Sequence, residues 1–517
     1  MAERADKIIY LLIILFVLFL VAFGWKFHPI EEVNSPENDG YVDKADEIRL
    51  GQVPKDLFHP LLYPVMSAGL GELLDDTFAG ARLASALFAG FFVLLTYLLG
   101  KSWLGREVGA FAAVGAMLNY NVIVAGIRTA SDSAFSAFAV LILLLALGTD
   151  KKADYAHAFL LALAFALACF SRYNGMALAG PILIALAMTP SSPARKVGLV
   201  GVFAVCSVIL LIPHFYLTKL AFGSPFYTEN HKTLAFKLYG NGDWSYFDRV
   251  PFDSLTSVII HSPARVVLST LSETIGFFNS GLIGLGGDWL AGALFTTFFL
   301  TGLYMALTTV DRKMVLALSF IFFHVMAIAF TYETRRRYLL PILPLGYILG
   351  GRFLLSDAFG GSLCLWRKRI SRGVPLIAVF LAITAGSTIR DLAGFIDRHP
   401  LQEVQTAVML QKKYGPQIRV LSTFPFIHRH VNYWCQELDD AYGDEVRDEQ
   451  KYFSKLRALL QSKRIEFIII GRLTIGDRPR RLLTMRGIPP FLSPVVQSED
   501  VVVYKIVQAS PSKGIPP

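Results

Sequence analysis

Cysteine is scarce in this 517-residue chain. There are four: Cys169 and Cys206 in apolar runs, Cys364 in a basic stretch and Cys435 in a polar one. No CxxC and no Cys/His spacing occurs, so neither a disulfide framework nor a zinc site is supported. Charge is thin as well: charged residues make up 17% of the chain against 54% hydrophobic ones. Internal repeats and low-complexity segments are absent, which weighs against an array or a linker-rich protein. The net charge of +9 is not a nucleic-acid footprint in so apolar a chain. Basic residues there set topology and meet lipid headgroups.

What is present is hydrophobicity in blocks, the mark of a polytopic membrane protein. Apolar segments of spanning length lie near 8–24, 82–100, 110–127, 132–149, 156–170, 175–189, 197–216, 289–309, 314–331, 338–354 and 374–389, about eleven spans. The first follows Arg4 and Lys7 and has no clear small-x-small cleavage site, so it reads as an uncleaved span. With the N-terminus in the cytoplasm, every second connection is cytoplasmic. Those connections hold Lys101 and Arg106, Lys151 and Lys152, Arg195 and Lys196, Arg312 and Lys313, and finally Arg367, Lys368, Arg369 and Arg372. This agrees with the positive-inside rule all along the chain.

One group breaks the pattern. "TYETRRRYLLPILP" places Arg335, Arg336 and Arg337 on the outer face, where basic residues are normally sparse. A headgroup contact or a miscounted span is one reading. The other is a site for an anionic group, because guanidinium forks suit phosphate oxygens. Two long external loops, 25–81 and 217–288, face the same side; the first is acidic and the second rich in aromatics and turn formers. Short outer connections add Arg128, Asp132 and Arg172, and Arg82 opens the second span. Ionisable residues gathered at span ends on one side suggest a functional cavity. Pairing between span ends is the structural alternative for Arg82 and Asp132.

The tail from 392 onward is different. Amphipathic stretches ("LQEVQTAVMLQKKYG", "KYFSKLRALLQSKR") alternate with β-rich runs ("IRVLSTF", "IEFIIIG", "VVVYKIV"), which reads as a small α/β domain. The expected organisation is a polytopic α-helical domain over 1–391 and an external α/β domain over 392–517.

The chain resembles the GT-C glycosyltransferases that use polyprenyl-phosphate sugars, in particular the group of protein O-mannosyltransferases and lipid A aminoarabinose transferases. The resemblance is carried by "NDGYVDKADEIRLGQ", "HPLLYP", "ARLASALFAG", "RTASDSAF", "FSRYNG", "FGSPF" and "RRRYLLPILP", in that order over residues 1–350. It implies an inverting transfer. A first-loop carboxylate takes the proton of an acceptor hydroxyl, and the polyprenyl phosphate leaves. By position the base is Asp39, with Glu37 and Asp43 as rivals, since Asn38-Asp39-Gly40 stands where an Asp-Glu pair is expected before the tyrosine. A solvated loop carboxylate is the ordinary alternative. Negative charge growing on the leaving phosphate calls for fixed cations. That role falls to Arg336 and Arg337, supported by Arg172, His59 and Arg335. Lipid-facing snorkelling is the other account of Arg172, and packing beside Pro60 that of His59. Tyr41, Asp132, Tyr173, Asn174 and Tyr338 would line the sugar or lipid pocket, or act as interfacial belt and capping residues.

Some GT-C enzymes hold a divalent cation near the first-loop acid. This loop has no Asp-x-Asp, and no obligatory metal or other cofactor is expected. The partners implied are a polyprenyl-phosphate-linked sugar, an acceptor that is a lipid, a glycan or a protein, and membrane lipid; no nucleic acid is expected. The expected location is the plasma (inner) membrane, multi-pass, with the N-terminus cytoplasmic and the C-terminal domain external. Two other readings compete: a flippase or transporter for a polyprenyl-linked lipid, and a non-catalytic relative that binds the lipid. Transporters tend to show repeats and broken mid-membrane helices, whereas this chain concentrates its polar residues in outer loops.

Overall fold

The structure, a computed structural model, describes residues 2–27, 40–54, 57, 59–152, 154–225, 227–240, 246, 250–309, 311–332, 334–356, 362–365, 368–371, 373–396, 401–415, 417–422, 435–437, 449–462, 464–471, 491–498 and 501–507. The chain divides into two compact units, Met1–Lys26 with Asp39–Ala393, and Phe27–Asn38 with Gly394–Pro517.

The first unit is a helical membrane bundle. Its first helices are α1 (Ala2–Phe27), α2 (Tyr41–Arg49), α3 (Leu62–Leu74), α4 (Thr77–Leu104), α5 (Arg106–Met117), α6 (Tyr120–Ile127) and α7 (Asp132–Lys152). Next come α8 (Tyr155–Ser171), a 3-10 turn at Tyr173–Leu178, α9 (Ala179–Ala187), α10 (Pro193–Phe222), α11 (Asn230–Tyr239), α12 (Leu255–His261) and α13 (Pro263–Gly276). A π turn (Phe277–Gly281) leads into α14 (Leu282–Gly286). α15 (Trp289–Leu307), α16 (Arg312–Thr331), a 3-10 turn at Arg336–Ile342, α17 (Leu343–Leu354), a hairpin of β1 (Ser362–Leu365) and β2 (Lys368–Ser371), and α18 (Gly373–Ile396) complete it. Short polar side chains start many of these helices: Asp76, Asp154, Ser192, Asp288 and Asp311 each accept a backbone N–H from the first turn.

By length and composition, eight helical stretches among the described residues can cross a membrane, and a ninth if α5 and α6, bent by 61°, count as one. The eight lie in α1, α4, α7, α10, the α13–α14 stretch, α15, α16 and α18. Four of the eleven expected spans are therefore not long single helices, the one over 110–127 being the bent α5–α6 pair. Those over 156–170 and 175–189 are shorter apolar helices on either side of Arg172. The one over 338–354 opens as a 3-10 turn containing Pro341 before the 12-residue α17, because proline removes a helix donor and crowds the preceding turn.

The expected external loop 217–288 also turns out largely helical. Its α13–α14 stretch was hidden from hydropathy reading by polar residues such as Ser272, Glu273, Asn279 and Ser280. Both parts of it touch the same connection. The Glu273 carboxylate accepts from the Thr334 N–H at 2.8 Å, and Gly284 lies against the Arg336 side chain. A segment held in this way lies along the end of the bundle that carries the arginines. Val267, Leu268, Leu271, Ile275 and Phe278 are its exposed apolar face.

The opposite end is marked by ionic contacts. Asp6 accepts from Lys101 at 2.8 Å and Arg106 at 2.9 Å and also bonds the Tyr97 hydroxyl. Arg312 bonds the Thr149 hydroxyl and the Ala185 carbonyl.

The second unit holds α19 (Leu401–Tyr414), α20 (Glu449–Ser462) and strands β3 (Val420–Ser422), β4 (Cys435–Glu437), β5 (Phe467–Gly471), β6 (Leu492–Gln497) and β7 (Val501–Ile506). The sheet order is β4-β3-β5-β7-β6, parallel at β4–β3–β5 and antiparallel at β5–β7–β6. Phe467 and Ile469 pack with Ala407 and Leu410 of α19, while Ile468 and Ile470 pack with Leu456 and Leu460 of α20. One helix thus covers each face, which is why "IEFIIIG" is apolar throughout rather than alternating. Each such side chain fully buried is worth about 1.5–3 kcal/mol.

Candidate active site

The site is assembled at the α7 N-terminus, the α8 C-terminus and the 3-10 turn after α16. Asp132 is the first residue of α7, where the helix dipole favours a carboxylate. Arg172 caps α8 in an extended conformation (φ −154, ψ 142) that swings its side chain back over the bundle. Its Nη1 donates to Asp132 Oδ1 at 2.6 Å, and the two side chains are only 16% and 7% exposed. Burial works against the Arg172 charge, but the Asp132 carboxylate together with Tyr41 and Tyr338 outweighs it and raises the affinity of the guanidinium for its proton.

The Arg172 guanidinium lies 4.7 Å from the centre of the Tyr338 ring. Arg337 lies 4.8 Å from the same ring, and its Nη2 donates to the Tyr338 hydroxyl at 2.6 Å. One buried aromatic ring therefore gathers two guanidinium groups, each in cation–π range.

The first loop enters from the other side. Gly40 has φ 54, a left-handed conformation that favours glycine, and it turns the chain directly into α2. Buried Tyr41 follows, bonding Ser131 Oγ through its hydroxyl at 2.6 Å. Ser131 and Asp132 are consecutive, so the residue before α7 meets Tyr41 and the first residue of α7 meets Arg172. The Tyr41 ring stacks on His59 at 4.9 Å and meets Tyr63 edge-on at 5.2 Å. Tyr63 in turn bonds the Ala81 carbonyl and Ser85 Oγ, each at 2.7 Å. Tyr173 donates to the Leu57 carbonyl at 2.6 Å, tying the turn after α8 to the same loop.

Tyr41, His59, Asp132, Arg172, Arg337 and Tyr338 are thus in one connected cluster, with Tyr173 beside it. Asn174 is half-buried on the Tyr173 turn, and Asp43 is half-buried in the first turn of α2. Arg335 and Arg336 are exposed and diverge from the cluster: Arg335 lies over the Tyr332 ring at 5.4 Å and Arg336 against Gly284. Asp39 and Glu37 lie outside the described residues. Asp132 pairs with Arg172 rather than with Arg82, which packs on Trp25 and Phe78 and donates to the Gly24 carbonyl.

Sequence reading missed Lys44, a lysine 3% exposed whose Nζ lies 6.0 Å from the Tyr41 ring centre. Its place one turn after the acidic stretch looked like an ordinary solvated charge. It also missed Ser131 and Tyr63, whose hydroxyls serve as joints in the cluster. Among the described residues, no three His, Cys, Asp or Glu side chains converge to hold a metal ion.

Residues 58–216 match the family of dolichyl-phosphate-mannose-protein mannosyltransferases. That segment contains His59, Asp132, Arg172 and Tyr173, whereas Tyr41, Arg337 and Tyr338 lie outside it. ArnT from Cupriavidus metallidurans bound to undecaprenyl phosphate superposes over 96% of this chain and 97% of its own, at 14% identity and a TM-score of 0.59. The chain has the GT-C fold. The archaeal oligosaccharyltransferase AglB from Archaeoglobus fulgidus, in complex with an inhibitory peptide and a dolichol-phosphate, also superposes, over 89% of this chain and 69% of its own, at 12% identity and a TM-score of 0.52. No curated protein matches the chain by sequence. Its multi-pass helical unit thus has the fold of ArnT, and a small sheet-containing unit lies toward its C-terminus.

Proposed function

We propose that this GT-C protein is an inverting glycosyltransferase that moves a sugar from a polyprenyl-phosphate carrier to an acceptor hydroxyl at the outer face of the plasma membrane. The observation that carries the reading is the pair of guanidinium groups, Arg172 and Arg337, gathered on Tyr338 beside the first-loop residues Tyr41 and His59. That arrangement fits a phosphodiester headgroup. The ArnT and AglB structures hold polyprenyl-type phosphates, and this supports the choice of donor.

Each residue then has a chemical task. The base, assigned to Asp39 with Glu37 and Asp43 in reserve, removes the proton from the acceptor oxygen. That oxygen forms a bond to the anomeric carbon from the face opposite the phosphate, while the anomeric carbon–oxygen bond to phosphate breaks. The leaving group departs as a phosphomonoester carrying one more negative charge. Arg337 donates to its oxygens, and cations fixed in advance there lower the barrier more than they tighten ground-state binding. Arg172 is locked by Asp132, so it acts as an oriented donor rather than a mobile one. Arg336 and Arg335 serve the outer rim, and Tyr173 and Asn174 the pocket wall. The N-terminus is assigned to the cytoplasm and residues 392–517 to an external domain. Acceptors of this chemistry are hydroxyls of a lipid, a glycan or a protein.

Purified protein supplied with a labelled polyprenyl-phosphate sugar tests the reading. Arg337→Ala is expected to lower transfer by about 100-fold or more. Asp39→Asn is expected to cost about 100- to 10,000-fold while lipid binding is kept. Undiminished transfer in Asp39→Asn removes the base assignment. Lipid movement across vesicles without transfer replaces the enzyme by a flippase.

A further inference from the structure

Below the cluster sits a buried histidine to which no step above assigns a role. His324 lies on α16 and is fully buried, stacked on Phe320 of its own helix (6.1 Å) and on Phe135 of α7 (5.8 Å). Its Nε2 is 2.8 Å from the Tyr338 carbonyl oxygen. A carbonyl only accepts, so the hydrogen is on Nε2. Nδ1 is buried and has no hydrogen-bond partner among the described residues. A second proton there would leave a cation without a counter-group in an apolar wall, so the ring is neutral.

We propose that His324 is a positioning residue for the donor-phosphate site: as the neutral Nε2–H tautomer it anchors the Tyr338 carbonyl and so fixes the 3-10 turn that sets Arg337 and the Tyr338 ring against Arg172. The inference deepens the glycosyltransferase reading and depends on it. The turn needs such an anchor because its first residues follow an extended connection, and 3-10 hydrogen bonds hold geometry poorly. Phe135 is one turn along α7 from Asp132, so the same imidazole braces the helix that carries the Arg172 counter-charge. Moving the Tyr338 backbone by a fraction of an ångström shifts the ring on which both guanidinium groups rest.

The test compares His324→Leu with His324→Gln, whose amide nitrogen can replace Nε2–H as donor. Affinity for undecaprenyl phosphate, sugar transfer and thermal stability are measured in detergent-purified full-length protein. His324→Leu is expected to bind the phosphate about tenfold more weakly, the loss of one buried hydrogen bond, and His324→Gln to recover most of it at a similar Tm. Wild-type affinity in His324→Leu overturns the proposal. So does an equal loss in both variants, which would assign the effect to ring packing. If His324→Leu does not fold, nitrogen NMR of isotope-labelled histidine, with the resonance assigned by its absence in His324→Gln, decides: an Nδ1–H tautomer refutes the anchor. Arg337→Ala in the same binding assay separates the two readings. Undiminished binding there removes the phosphate site itself, whereas weakened binding beside a wild-type-like His324→Leu removes the anchor alone.

Discussion

Both ends of the bundle join an acidic side chain to cations, yet they do so in opposite ways. At one end, Asp6 is shared by Lys101, Arg106 and Tyr97, with the two cations 33% and 31% exposed. At the other, Asp132 and Arg172 form a one-to-one pair, less exposed and walled by Tyr338. The first arrangement tolerates loss, because water and neighbouring cations can replace any single partner. The second does not, because removing one charge strands the other away from water. Basic residues at the first end share one carboxylate and keep water as an alternative partner. At the second they are held in place, and fixed geometry is what chemistry needs.

The sharpest way to break this contrast is to remove the buried acid. Asp132→Ala leaves Arg172 without its counter-charge, and breaking a buried pair costs about 3–5 kcal/mol. The expected result is a large fall in Tm and loss of transfer, with charge-neutral Asp132→Ala/Arg172→Leu recovering stability but not activity. Double-variant protein that regains transfer would show that the pair is only structural. Next in size is Tyr338→Phe, which keeps the ring for both guanidinium groups and deletes the hydroxyl that accepts from Arg337. A hydrogen bond to a charged group is worth about 1.5–3 kcal/mol, so donor affinity should fall about tenfold or more with little change in Tm. Isothermal titration with undecaprenyl phosphate measures it.

Legibility followed the physics of each signal. The bundle could be read because apolar length is a composition property, and the α/β unit because "IEFIIIG" and the flanking amphipathic stretches match a sheet covered on both faces. Arg172, Asp132, Tyr338, Tyr41 and His59 were expected around one site, but the sequence did not say which of them touch. Their convergence depends on Arg172 leaving its helix in an extended conformation and on the left-handed turn at Gly40. The arginine triplet was the hardest to tell apart. Three adjacent residues look equivalent in a string, whereas successive side chains of a 3-10 turn point about 120° apart, so Arg337 joins the cluster while Arg336 goes to Gly284. The buried Lys44 and His324 were passed over because hydropathy treats every lysine as solvated and every helix-interior histidine as filler.

Gly284 allows the difference between Arg336 and Arg337 to be probed. A Cβ added there would fall 2.6 Å from Arg336 Nε and 2.9 Å from its Cγ, so Gly284→Ala must displace that side chain. The short helix α14 around it is otherwise held, since Asn121 donates to the Gly284 and Leu285 carbonyls. If Arg336 only trims the outer rim, transfer should fall no more than about threefold, the scale of a weak exposed charge contact. A loss approaching that of Arg337→Ala would instead promote Arg336 to an equal share of the phosphate.

The smallest effect should come from the far end of the bundle. Asp6→Asn removes the shared carboxylate while leaving Lys101 and Arg106 partly solvated, so each can turn to water. Transfer by correctly inserted protein should be unchanged, because this cluster is separated from the Arg172–Tyr338 site by the length of α4. Accessibility of single-cysteine probes to a membrane-impermeant thiol reagent checks insertion separately from activity. A variant that inserts normally but transfers poorly would erase the distinction between the two ends, since it would make the more exposed cluster a participant in the chemistry rather than a tolerant ionic contact.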